Sequence, residues 1–102
     1  MVKVDIQYKG KGITHLKIKG HADTAPLGKD LACAGVSAIS IGGLNALEDS
    51  DSYEITVDDG LVEVVLPEKI SEHDQTVLET IILQLKTIQV SYPEAIVIKE
   101  RK

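Results

Sequence analysis

The chain has 102 residues, a hydrophobic fraction of 43 % and a charged fraction of 26 %, which excludes a disordered polymer and leaves no room for two independent cores. With three Tyr and neither Phe nor Trp, the core must be aliphatic, and a nucleic-acid platform of stacked rings is disfavoured. A net charge of −5 and a single Cys, with no apolar run near the ~18 residues of a membrane span, exclude an internal disulfide, zinc sites of the usual spacing and a transmembrane segment.

Val2, Val4, Ile6 and Tyr8 alternate with Lys3, Asp5 and Gln7, the period of a half-buried strand. Lys9-Gly10-Lys11-Gly12 supplies a turn. Ile13, His15, Lys17 and Lys19 then alternate with Thr14, Leu16 and Ile18 as a hairpin partner ending at Gly20. From His21 to Lys29, Pro26 and Gly28 interrupt any period, so this stretch is predicted as a loop. From Asp30 the chain becomes almost uncharged through Leu31, Val36 and Ile41 to Leu44 and Leu47. That length predicts a buried helix with Asp30 as its N-cap. Gly35, Gly42 and Gly43 each weaken such a helix by up to about 1 kcal/mol, a cost that the close approach of another backbone would explain. Glu48 to Ser52 is a polar connection. Tyr53, Ile55 and Val57, the Asp58-Asp59-Gly60 turn and Leu61 to Leu66 make a second hairpin. Ser71 followed by Asp74 resembles a capping box, and Leu78, Ile81, Leu85, Ile88 and Tyr92 share one helical stripe that Pro93 ends. Ala95 to Ile98 is a short last strand. The prediction is one α+β domain over residues 1–102, β-β-α-β-β-α-β, with one mixed sheet packed with two helices.

Charge is unevenly spread: residues 1–29 carry +4, residues 30–79 carry −11 and residues 80–102 carry +2. An acidic middle either keeps the surface solvated or attracts a basic partner. No Lys/Arg cluster falls on a predicted helix, so direct nucleic-acid binding is not expected, nor is a membrane. Met1-Val2-Lys3-Val4-Asp5 does not read as a secretion signal, and a cytoplasmic protein is expected.

Cys33 falls in the first turn of the predicted helix, where unpaired N–H groups favour an anion and hence a thiolate nucleophile. His21, behind Gly20, is placed to fold back over that turn. Together they are the minimum for nucleophilic acyl transfer, with backbone N–H groups for the oxyanion. A lone Cys flanked by Ala is also commonly a small buried hydrophobe. Ser37 shares the Cys33 face one turn on; it either bonds back to the helix or orients substrate. Asp23 and Asp30 could orient His21 or simply cap turns. His15 and His73 read as solvated polar residues without a partner nearby in sequence. Metal binding by His21, Cys33 and an Asp would need the long loop to gather them, and neither metal nor cofactor is expected.

Gly20-His21-Ala22, a short loop and then Gly28-Lys29-Asp30-Leu31-Ala32-Cys33-Ala34-Gly35-Val36-Ser37-Ala38 resembles the signature of the ribosomal-processing cysteine proteases, the Prp family. The motif covers residues 20–38, and chain length and element order fit over the remainder. Ala32 is a small departure, where a bulkier aliphatic residue is common. The resemblance implies a small homodimeric bacterial endopeptidase that removes an N-terminal extension from large-subunit ribosomal protein number twenty-seven. By the same resemblance, Cys33 is the nucleophile and His21 the general base of a dyad working through a thioester. Ser37 and Asp30 become supports, and Gly20 a hinge for the loop that closes on substrate. Two other classes compete: a non-catalytic ribosome-associated binding module with Cys33 and His21 as packing, and a redox sensor using Cys33.

Overall fold

The structure, a computed structural model, describes residues 1–20 and 27–102, with side chains of the second stretch from Leu31 onward. Two hairpins, two helices and a final strand follow in order: β1 Val2–Lys9, β2 Gly12–Lys19, α1 Leu27–Leu44, β3 Glu54–Asp58, β4 Leu61–Val65, α2 Glu72–Ser91 and β5 Ile96–Arg101. The sheet order is β3-β4-β2-β1-β5. Among the described residues, only β1 and β5 run parallel. The predicted element order and mixed sheet are therefore the ones found.

The alternation of β1 sends Val2, Val4 and Ile6 into the core, beside Leu16 and Ile18 of β2, Val62 and Val64 of β4 and Ile96 of β5. Strict alternation does not hold along β2. Ile13 and Leu16 are both buried although three residues apart. The register shift opposite Gln7 and Tyr8 explains this: Gln7 pairs with His15 and Tyr8 with Ile13, leaving Thr14 as the extra residue of a bulge. His15 is not simply solvated either. Its Nε2 lies 2.7 Å from Glu63 Oε2 on the neighbouring strand, and that bond is the main cause holding the Glu63 carboxyl below its ordinary pKa.

Leu78, Ile81, Ile82 and Leu85 bury the inner face of α2. Ser71 Oγ accepts from the Asp74 N–H at 3.1 Å, as an N-cap should. Asp74 does not complete the reciprocal box. It turns the other way and accepts from the backbone N–H groups of Glu48 and Asp49, joining the start of α2 to the connection after α1.

A close neighbour explains the glycines of α1 at two of three positions, but it is a side chain and not the backbone expected. A Cβ on Gly35 would meet Ile88 Cδ1 at 2.9 Å, and one on Gly43 would run into Ile81. The close neighbours are the isoleucine side chains of α2. Gly42 has nothing within 4 Å and plays no such part. At the other end, β5 outruns the short strand expected, because Lys99, Glu100 and Arg101 also pair with β1.

Candidate active site

α1 begins at Leu27, one turn before the predicted start. Asp30 is thus a residue inside the first turn and not the N-cap. Gly28 marks no break: the first four N–H groups of a helix lack intrahelical partners in any case, so the chain can enter helix ahead of Asp30. Cys33 consequently lies in the second turn. Its own N–H belongs to the i→i−4 ladder and is not one of the unpaired donors expected there. His21, Asp23 and most of the loop expected to close over the site fall in residues 21–26, outside the described residues.

What the described residues do bring together is a cleft. Cys33 and Ser37 of α1 face the β3–β4 turn at Asp58, Asp59 and Gly60, with Gly20 at the end of β2, around a cavity of about 170 Å³. Cys33 is half-buried at the core margin, so it is neither sealed as a structural thiol nor fully in water. Ser37 is exposed along the same wall. A partly open thiol in the wall of a cleft is the kind of arrangement that nucleophilic attack requires.

Gly20 is held by two constraints. Its φ is +114°, and its N–H donates to the Gly60 carbonyl oxygen at 2.9 Å, tying β2 to the β3–β4 turn across the cleft. A Cβ there would also collide with the Met1 carbonyl oxygen. Gly20→Ala is expected to cost about 1–3 kcal/mol, the usual range for a non-glycine residue forced into such a region. A urea midpoint equal to that of the unsubstituted protein would show that the constraint relaxes freely.

Sequence reasoning missed a second polar centre. Asp74 is fully buried. Its oxygens accept from Glu48 N–H at 2.9 Å, Asp49 N–H at 3.1 Å and Tyr53 Oη–H at 2.5 Å, with His73 Nδ1 at 2.9 Å. Burial alone would raise its pKa, but these donors outweigh it and hold the carboxyl well below its ordinary value. The reverse holds for Tyr53, whose pKa is pushed up by burial first and by the Asp74 bond second. His73 is therefore not unpartnered, and its bond to Asp74 raises its pKa. Glu48, His73 and Asp74 offer ligand atoms within 4.8 Å of one another. Because Asp74 already serves four donors, the group reads as an internal brace and not as a metal centre. The only sequence signal is an acid three residues after the Ser71 N-cap, a spacing that a capping box also produces.

Comparison with known proteins gives a consistent result. Residues 1–97 match the family model described as "Cysteine protease Prp". The ribosomal processing cysteine protease Prp of Staphylococcus aureus is 34 % identical over 101 residues, covering 94 % of this chain and 95 % of its own. That of Bacillus subtilis is 34 % identical over 92 residues, 82 % of each. The crystal structure of the S. aureus protease in complex with a substrate peptide superposes with a TM-score of 0.85 at 31 % identity, covering 99 % of this chain and all of that one.

Proposed function

This chain belongs to the Prp family and is a cysteine protease, and we propose that it removes the short N-terminal extension of large-subunit ribosomal protein number twenty-seven through a Cys33–His21 dyad. The reading is of one domain over residues 1–102, acting in the cytoplasm as a homodimer. Its main support is Cys33 in the wall of a cleft that Gly20, the residue preceding His21, also lines.

His21 takes the proton from Cys33 Sγ as the thiolate attacks the scissile carbonyl carbon. The C–N bond then breaks while the His21 imidazolium gives that proton to the departing amine, leaving a thioester on Cys33. Water attacks the thioester, His21 accepts its proton, and the carboxylic acid leaves as the thiol is restored. No redox partner or cofactor enters. Asp30 supports His21, and Gly20 is the hinge from which the following loop closes.

Ser37 acts as a support from the cleft wall, one turn from the thiol. Ser37→Ala is expected to lower turnover threefold to tenfold, since a neutral hydrogen bond contributes about 0.5–1.5 kcal/mol. A complete loss in a folded Ser37→Ala protein would move the hydroxyl into direct contact with the reacting atoms.

The test of the whole reading is to incubate the protein with the ribosomal precursor and weigh the products by mass spectrometry. A single cut releasing the extension supports it. An intact precursor that nevertheless binds would favour a binding module instead.

A further inference from the structure

The Cys33 cleft does not end at Ser37. A second hollow of about 230 Å³, lined by Leu44, Asn45, Ser50, Ile55 and Val57, shares Ile41 with it. Ile55 and Val57 of β3 stand directly opposite Val64 and Val62 of β4, so they point to the helix side of the sheet, where core residues belong. The helix layer nevertheless leaves them partly bare. Val57 is 53 % exposed, and Ile41, on the facing side of α1, is 44 % exposed. Asp58 lines the Cys33 end and Ile55 the Leu44 end, so the two hollows form one groove between α1 and the edge strand β3.

Resting on the protease reading, we infer that the far half of this groove is an apolar subsite for the peptide being cut. A helix rises 1.5 Å per residue, which puts Ile41 about 12 Å and Leu44 about 16 Å along α1 from Cys33. An extended peptide advances about 3.3 Å per residue. The subsite therefore takes an aliphatic or aromatic side chain about four or five residues from the bond cut. An edge strand also offers backbone N–H and C=O groups to an added strand, which suits an extended occupant. Continuity with the Cys33 cleft favours the substrate peptide over a second copy of the chain, which would need no such alignment with the thiol.

The probe is a labelled peptide spanning the cleavage point of the ribosomal precursor, made as a set in which one residue at a time becomes Asp. Affinity is read by anisotropy on Cys33→Ala protein and kcat/KM on protein with the thiol intact, each with and without Ile41→Asp or Val57→Asp. Both positions are exposed enough for the fold to survive, and Val90→Asp on the far helix is the control. At one position four or five residues from the bond, Asp is expected to weaken binding and cleavage roughly tenfold. That penalty should shrink when Ile41 is already Asp, because coupled neighbours are not additive, and Lys at that position should recover binding to Ile41→Asp. A scan with no such position, or one unchanged by both groove variants, overturns the subsite. Cleavage with a flat scan refutes the subsite and spares the protease; a coupled binding scan without cleavage refutes the protease and spares the subsite.

Discussion

Cys33→Ala and His21→Ala are each expected to lower kcat/KM on the ribosomal precursor by more than about 10⁴-fold, and the double substitution no further. The thiol supplies the only nucleophile of the proposed reaction, and His21 is the base proposed to take its proton. Residues acting as one unit fail together, so the second loss finds little left to remove. Replacing Cys33 by Ala deletes one sulfur from a half-buried position beside buried Ala32 and Val36, so the melting temperature should move little. Product masses and a thermal melt on the same preparations check both halves. Cleavage by a folded Cys33→Ala protein would remove the dyad from consideration.

Asp74→Ala is expected to be the most destabilising single substitution among the residues discussed, at about 3–5 kcal/mol. The side chain it deletes is fully buried, and the loss strands the Glu48 and Asp49 N–H groups and the Tyr53 hydroxyl. Against the 5–15 kcal/mol typical of a whole domain, that is a drop in Tm of about 12 °C or more. Asp74→Asn keeps one acceptor oxygen and should fall between. The acid dependence has a definite sign. Asp74 has a folded pKa below its unfolded value of 3.8, so its contribution is complete above that value and is lost as pH falls through the folded one. His73 runs oppositely. Its pKa is raised from 6.5, so its smaller contribution is present below that value and disappears as pH rises through the folded one. Urea midpoints across pH should therefore show an acid limb that Asp74→Ala flattens and His73→Ala keeps. An unchanged acid limb in Asp74→Ala would assign acid sensitivity to other carboxylates.

The fold was legible because most of its information is local. Val2, Val4 and Ile6 report a buried face by period alone, and Ser71 reports a helix start by its hydroxyl. The bulge at Thr14 was not legible, because it exists only relative to the register of β1. The same applies to His15 and Glu63, which are distant in sequence and adjacent only once β2 lies beside β4. The start of α1 was misread by a turn because Gly28 carries a penalty in helix interiors that it escapes in the first turn. Of the site, Cys33, Ser37 and Gly20 were found by motif and meet in one cleft. Asp58 and Asp59 were read only as a turn, Ile41 only as part of a buried helix and Val57 only as part of a strand. Their place along the cleft follows from how α1 lies against β3, which no spacing in the sequence encodes.

The parallel pairing of β1 with β5 has a practical bearing on how the protein is handled. Val2 lines the Cys33 cleft and the Met1 carbonyl oxygen occupies the place a Gly20 Cβ would take, whereas Arg101 pairs with Gln7, about 17 Å further along the sheet at the strand rise of ~3.3 Å per residue. A purification tag or fluorescent fusion joined ahead of Met1 would emerge beside the thiol and compete with peptide for the approach to it. The same addition after Lys102 leaves from the opposite end of the sheet, and that is the end to use for immobilisation or labelling.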